Sequence, residues 1–222
     1  MVIRVLRELS FSSWQMDLTK EGIQQTKEAL EITARLGDTM EQARCLINLA
    51  RLLCDDKQFN AAEGAALRAM DLFSENGNQH RLCVSHRVLG EIYQFKGEAK
   101  KAIQHFEAVL GIAPPFDWRE ELFWAHYHLA WLLRDECRFD DANAHIERAK
   151  SHTVNSAYYL GLAMEMQAGI WYKQHRFEET RSEALRAAEV YERLGAATRA
   201  EGCRMLLQYI EEELDTPVTS GQ

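Results

Sequence analysis

The chain has 222 residues, enough for one substantial domain or two small ones, and only three prolines and twelve glycines interrupt it. Its formal net charge of −8 argues against general attraction to nucleic acid or to an anionic membrane. No apolar run approaches the roughly 20 residues of a membrane span. The five cysteines are widely spaced, with neither zinc-site nor redox spacing, and so indicate buried thiols in a cytoplasmic protein.

The sequence is built from repeats of about 40 residues, a length typical of helical repeat arrays. Positions 46–53 align with 86–93 and then, after an equal step, with 126–133. A fourth match, 164–171, comes after a slightly shorter step, and a degenerate one, 6–13, lies one full step before the first. Five aligned units indicate a stack of similar supersecondary elements.

Small side chains recur in fixed columns of these units. Because small residues let helix backbones approach closely, we expect the columns to mark contacts between helices. The first column holds Ser10, Ala50, Gly90, Ala130 and Ala168. Two further columns hold Gly22, Ala62, Ala102, Ala142 and Thr180, and Ala29, Ala69, Val109, Ala149 and Ala187.

Within each unit, apolar residues at i, i+3, i+4 and i+7 predict two amphipathic helices. In chain order the predicted pairs span 3–16 and 19–36, 40–55 and 59–75, 79–96 and 98–113, 118–136 and 139–152, and 155–174 and 177–194. Gly37, Gly77 and Gly195 follow second helices as stop signals. A helix over 198–214 is expected to cap the last pair, and 215–222 to be a disordered tail. We therefore predict a single array over 1–214.

Six residues of the second full repeat match a known consensus in identity and spacing: Leu89, Gly90, Tyr93, Ala102, Phe106 and Pro114. On these residues the chain resembles the tetratricopeptide-repeat (TPR) proteins. The resemblance implies an all-α fold, a right-handed superhelix of about five helix pairs with a C-terminal capping helix. The units are longer than the roughly 34 residues that are usual for this family. In this respect the chain is similar to the TPR arrays of fungal NB-ARC and NACHT (STAND-type) signalling proteins and of MalT-like regulators. That similarity implies a fragment of a larger signalling protein.

The sequence contains no phosphate-binding loop, nucleophile elbow, kinase signature or zinc-protease motif. We therefore expect no enzyme activity, no cofactor and no metal. His86 and His126 occupy one packing column and are expected at the edge of the core. His145 and His152 could share a helix face, although a metal site there is disfavoured. Carboxylate clusters such as the one at 120–121 are expected to be solvated.

The TPR resemblance implies that the first helices line a concave groove, at five positions in each repeat. Seven of these 25 residues are aromatic, where the 9% of the whole chain predicts about two. Seven are Arg or Lys and four are acidic, so the groove has a net charge of +3. Aromatic and Arg enrichment is typical of binding hot spots, although single rings could instead pack between repeats. The predicted contact residues are Arg51, Arg87, Glu91, Phe95, Trp124, Tyr127, Trp131, Arg134 and Tyr172.

These features predict a non-catalytic scaffold that binds an acidic or mixed peptide or helix, with its anchor patch at Trp124, Tyr127, Trp131 and Arg134. The alternative is an effector-sensing domain, holding a small molecule, of a signal-transducing NTPase or transcription regulator. A chaperone-tail receptor is disfavoured because the Lys and Asn of that clamp are missing from the matching positions. Neither nucleic acid nor a membrane is expected as a partner, and self-association is left open.

Overall fold

The computed structural model describes residues 19–153 and 156–215, with side chains described as far as residue 213. Throughout these two ranges the secondary structure is helical, which confirms the predicted all-α fold class. The helix predicted over 3–16 lies outside the described residues. The tail predicted over 215–222 also lies outside them except for its first residue, Asp215, which is the last residue of a helix.

The described residues form ten α-helices, whose ends agree closely with the predicted bounds. The helices are α1 (Thr19–Leu36), α2 (Thr39–Asp55), α3 (Phe59–Glu75), α4 (Gln79–Phe95), α5 (Ala99–Ile112), α6 (Arg119–Asp135), α7 (Phe139–Ser151), α8 (Ala157–Lys173), α9 (Phe177–Arg193) and α10 (Ala197–Asp215). A 3₁₀ turn at Pro114–Phe116 separates α5 from α6. Pro114 thus ends one repeat, as the consensus implies.

Side-chain caps and left-handed residues set the ends of these helices. The side chains of Asp38, Asn78 and Ser156 accept hydrogen bonds from backbone N–H groups in the first turn and so begin α2, α4 and α8. Gly37 and Gly77, with φ of 67° and 64°, end two second helices as predicted, because glycine adopts this conformation without a steric penalty.

The chain divides into two compact units, with the border between Glu121 and Leu122 inside α6. In the first unit, both members of the pairs α2–α3 and α4–α5 contribute buried side chains, with Phe73 and Phe106 fully buried on second helices. In the second unit, Phe123, Ile146 and Tyr191 are fully buried within a single core cluster. Every described member of the three small-residue columns is buried, so the columns do mark helix contacts.

Candidate functional site

Three rings form a stack along α6 in the second unit. The imidazole centroid of His128 lies 5.8 Å from that of Trp124 and 6.4 Å from that of Trp131, with interplanar angles of 29° and 12°. The three positions are spaced i, i+4 and i+7 and therefore share one helix face. Both indoles are partly exposed while His128 is buried. We call Trp124, His128 and Trp131 the ring ladder; its middle member was not among the predicted contact residues.

One carboxylate orients the C-terminal end of the ring ladder. Trp131 donates from Nε1 to Oδ2 of Asp135 over 3.0 Å. Arg134 donates to Oδ1 of the same carboxylate from Nε and Nη2, over 3.0 and 2.8 Å, and its guanidinium lies 5.7 Å from the Trp131 ring centroid. Its Nη1 reaches α8, where it lies 3.6 Å from Sδ of Met166. Indole and guanidinium are thus held together, and the charge of Arg134 is compensated by Asp135.

Tyr127 was predicted on the same face, but it belongs to the core of the second unit. Its side chain is 7% exposed and stacks on Phe123 at a centroid distance of 5.8 Å. Burial, followed by the charge of Glu165, raises the pKa of Tyr127 to about 12. Tyr159 of α8 packs on the other members of the group, 4.7 Å from Phe123 and 5.5 Å from Trp124. The open aromatic surface of α6 is therefore that of its two tryptophans.

Tyr172 lies at the end of α8 among a different set of rings. It makes edge-to-face contact with Tyr209 of α10 at a centroid distance of 6.0 Å and lies 6.0 Å from Phe177. Burial and the neighbouring Tyr209 raise the pKa of Tyr172. Tyr209 is 51% exposed, so these rings present a second, smaller aromatic surface.

In the first unit, Arg87 forms a buried ion-pair cluster. It donates from Nε to Oε2 of Glu121 and from Nη1 to Oε1 of Glu91, both over 2.6 Å. Burial alone would lower the pKa of Arg87, but the two carboxylates outweigh burial and raise it. Arg87 is only 8% exposed, so its guanidinium is occupied by carboxylates of the chain itself.

The prediction that the carboxylates at 120–121 are both solvated is wrong for Glu121, which is 4% exposed. The turn of α6 that carries the pair directs one carboxylate to solvent and the other to Arg87. A buried carboxylate requires such a partner, because an unpaired charge away from water is strongly destabilising. The sequence does indicate which of the two carboxylates is buried, because Glu121 is the one followed directly by an apolar run, residues 122–125.

Arg51 and Phe95 are the remaining predicted contact residues. Arg51 is partly exposed, and no hydrogen bond or ion pair joins it to another residue of the described part of the chain. Burial and then the charge of Arg87 lower the pKa of Arg51 to about 10, so it remains charged at neutral pH. Phe95 is 53% exposed and lines a shallow depression of about 470 Å³ together with Lys57, Phe59 and Lys96.

The histidines form two matching pairs between helices of the same repeat. Nδ1 of His86 lies 3.0 Å from Nδ1 of His105, and Nδ1 of His126 lies 3.0 Å from Nδ1 of His145. The second pair occupies the same two positions of its repeat as the first pair does in the repeat before it. Among residues 19–153 and 156–215, no group of three or more His, Cys, Asp or Glu is arranged to hold a metal ion. None of the described helices is both long and apolar enough to cross a membrane.

The helix pairs and their contact columns define a helical-repeat protein. Residues 48–115 match the family model of the tetratricopeptide repeat, which confirms for this part of the chain the resemblance that the sequence predicted. No curated protein sequence is similar enough to count as a relative.

Solved structures share this fold at low sequence identity. The quorum sensor NprR from B. thuringiensis in its apo form has a TM-score of 0.78 and 13% identity, covering 97% of this chain and 63% of that one. A Rap protein in complex with Competence and Sporulation Factor has a TM-score of 0.70 and 14% identity, covering 96% of this chain and 64% of that one. The STAND-class signal-transduction ATPase from Pyrococcus horikoshii, with a tetratricopeptide-repeat sensor, has a TM-score of 0.77 and 13% identity, covering 91% and 31%.

The chain thus spans less than two thirds of each of these three proteins. Identities at this level establish a shared fold and nothing finer. TPR arrays are in general scaffolds with extended binding surfaces rather than catalysts.

Proposed function

We propose that this chain is a non-catalytic protein-interaction scaffold whose principal contact surface is the ring ladder of α6. The observation that carries the proposal is the pair of partly exposed indoles, Trp124 and Trp131, held in place by His128 and Asp135. Large aromatic side chains that are already ordered lose little conformational entropy when they bind a partner, and tryptophan is strongly enriched at binding hot spots.

The partner that fits this chemistry is a peptide or helix with both apolar and acidic side chains. Apolar groups of the partner would lie against the two indoles. Arg51, the one predicted Arg without an ion pair among the described residues, offers acidic groups a separate contact in the first unit. Arg87 and Arg134 are already paired with carboxylates of the chain, so each of them would order the surface of its own unit more than it attracts a partner.

The structural neighbours are consistent with this proposal. One is a Rap protein solved with Competence and Sporulation Factor, and another is described as a quorum sensor. Together with the similarity to STAND-type arrays, they support a role as the cytoplasmic sensing or oligomerisation arm of a larger signalling protein. The resemblance of the repeats to fungal STAND-type arrays extends the proposal to a fungal STAND-like protein.

A second candidate function is the sensing of a small-molecule effector. The similar STAND protein has a tetratricopeptide-repeat sensor, which favours this candidate. The depression beside Phe95 also favours it, because it has room for a metabolite-sized ligand. A bound effector stabilises the folded chain by mass action, so it would raise the melting temperature. A metabolite library screened by thermal shift tests this candidate, and the absence of any shift would count against it.

The scaffold proposal is tested with labelled synthetic peptides of acidic, mixed and basic composition, measured by fluorescence anisotropy. Trp131→Ala should weaken binding of acidic or mixed peptides by about 30-fold or more, the effect of losing a hot spot. The matched control is Trp171→Ala, because Trp171 is also partly exposed and has an Arg guanidinium, that of Arg176, 5.2 Å from its ring centroid. Equal losses in both variants, or no binding of any peptide class to the wild type, would contradict the proposal.

A further inference from the structure

The two histidine pairs are the same contact, repeated in two successive repeats. Each pair joins the first helix of a repeat to the second, α4 to α5 in the first unit and α6 to α7 in the second. The corresponding positions of the preceding repeat hold Leu46 and Ala65, which cannot form such a contact. Two of the repeats therefore carry a polar, titratable link where another has only apolar packing.

The contact between two Nδ1 atoms restricts protonation in each pair. One imidazole must donate an N–H and the other must accept through a lone pair. The contact is compatible with two neutral rings, or with one imidazolium donating to a neutral ring. It is incompatible with two imidazolium ions, because both nitrogens of each ring then carry protons and both rings are charged.

We propose that the two histidine pairs are acid-released latches, which hold α5 on α4 and α7 on α6 at neutral pH and open when both rings of a pair become protonated. The proposal concerns the packing of the array and is independent of the partner that its surface binds.

The groups that face the first pair favour neutral imidazoles at neutral pH. Tyr93 of α4 stacks on His105 at 5.3 Å. The carboxylate of Glu63 on α3 acts on His105, and it already accepts hydrogen bonds from Tyr93 and Lys96. Burial and then the neighbouring His86 lower the pKa of His105 to about 4, with Glu63 opposing, and burial lowers the pKa of His86.

In the second pair, the ring of His152 stacks on His126 at 5.9 Å with an interplanar angle of 4°. Burial, His145, His152 and Arg148 all lower the pKa of His126, to about 3. Burial, Arg148 and Arg138 lower the pKa of His145, and Asp141 opposes them. On its other side α7 meets α8 through the neutral amides of Asn143 and Gln167, 2.6 Å apart, and α9 through the Lys150–Glu183 ion pair.

Because the pKa values of the paired histidines are lowered in the folded chain, its stability should fall as the pH falls. An imidazole titrates near 6.5 in the unfolded chain, but one ring of each pair titrates near 4 or below in the folded chain, so the unfolded chain binds more protons in between. The stabilisation is fully present above pH 6.5 and is lost progressively as the pH falls towards 4. Between pH 7 and pH 5 the more strongly shifted histidine of each pair should raise the unfolding equilibrium constant by about 20-fold.

The test compares urea unfolding at pH 7 and pH 5 for the wild type and for His86→Leu/His105→Ala and His126→Leu/His145→Ala, which copy the chain's own Leu46 and Ala65. In each double variant, the rise in the unfolding equilibrium constant between pH 7 and pH 5 should be smaller than in the wild type by a factor of about 20. His175→Asn, which removes an exposed imidazole at a position with φ of 58°, should keep the wild-type dependence. A double variant with the full wild-type dependence would overturn the proposal.

A second measurement needs only the wild-type chain and covers the case in which a variant fails to fold. Imidazole ¹⁵N spectra at pH 7 should show one Nδ1–H and one Nε2–H tautomer in each pair. They should also show that His105 and His126 stay neutral until well below pH 6. Two Nε2–H tautomers in a pair, or protonation of all histidines near pH 6.5, would overturn the latch.

Discussion

Arg87 of α4 donates from Nε to the Oε2 atom of Glu121 over 2.6 Å, and both side chains are almost fully removed from solvent, at 10% and 6% exposed. The bond joins residues of two successive first helices. Glu91 completes the cluster by accepting from Nη1. A residue predicted on its charge to contact a partner is thus also a fixed part of the first unit. Its carboxylate partners are what allow a guanidinium to be buried there.

Removal of the buried carboxylate should be costly. Glu121→Ala leaves Arg87 with Glu91 as its remaining partner in the cluster, and we expect the free energy of unfolding to fall by about 3 kcal/mol, the usual cost of breaking a buried pair. Chemical denaturation measures the change. Glu120→Ala removes the same charge one residue earlier from an exposed side chain and should change stability by no more than about 0.5 kcal/mol. Equal effects of the two substitutions would contradict this account.

Gly90 packs directly against a phenyl ring, which explains why its column holds glycine only in this repeat. A Cβ atom added at Gly90 would lie 2.7 Å from Cε1 of Phe106, and Phe106 is fully buried. Elsewhere in the array, the corresponding pair is Ala130 with Ile146, where a smaller partner leaves room for the methyl group. A larger residue at one of these two positions is thus matched by a smaller residue at the other: Gly90 with Phe106, and Ala130 with Ile146.

Gly90→Ala should therefore destabilise the chain by about 1–3 kcal/mol through overpacking. Gly64→Ala is the matched control, because Gly64 is also inside a helix but nothing lies within 4 Å of its added Cβ; it should stabilise by up to about 1 kcal/mol through helix propensity. Gly90→Ala/Phe106→Ile, which copies the pair at 130 and 146, should recover part of the loss. Thermal unfolding of the four chains measures these differences, and a neutral Gly90→Ala would show that the ring moves freely aside.

The fold could be predicted from the sequence because the residues that determine it recur at a fixed interval along the chain. The repeat brings small residues such as Ala50 and Ala130 into register, and close approach of helices follows from side-chain size alone. The helix ends were predictable for a similar reason, since caps such as Asp38 and left-handed glycines such as Gly37 act within a few residues.

The candidate site was predicted less completely because it depends on contacts between helices. Helical spacing places Trp124 and Trp131 on one face, but it does not show that Tyr127 turns into the core or that His128 stacks between the indoles. The partner of Glu121 lies on another helix, far away along the chain, so adjacent charge alone suggested solvation. His105 and His145 lie one repeat apart, as do His86 and His126, and this periodicity is sufficient to predict the histidine pairs.

Tyr191 of α9 donates its hydroxyl to Oε2 of Glu165 over 2.8 Å, and its ring is fully buried against Gly161. Arg199 of α10 donates to both oxygens of the same carboxylate, over 3.2 and 3.1 Å. Three helices of the second unit are therefore tied to one carboxylate. Burial, followed by the charge of Glu165 and its hydrogen bond, raises the pKa of Tyr191.

Tyr191→Phe should lower the free energy of unfolding by about 1.5 kcal/mol at pH 7, because it removes a hydrogen bond to a charged acceptor while keeping the ring. Tyr158→Phe is the matched control, since Tyr158 is 39% exposed, and it should have little effect. A phenol titrates near 10 in the unfolded chain and higher in the folded one, so the stabilisation by Tyr191 is present below pH 10 and is lost as the pH rises above it. Unfolding free energies measured at increasing pH above 9 should therefore fall less steeply for Tyr191→Phe than for the wild type. The ultraviolet absorbance of phenolate should show this phenol ionising only as the chain unfolds; ionisation of every tyrosine below the unfolding transition would contradict the assigned hydrogen bond.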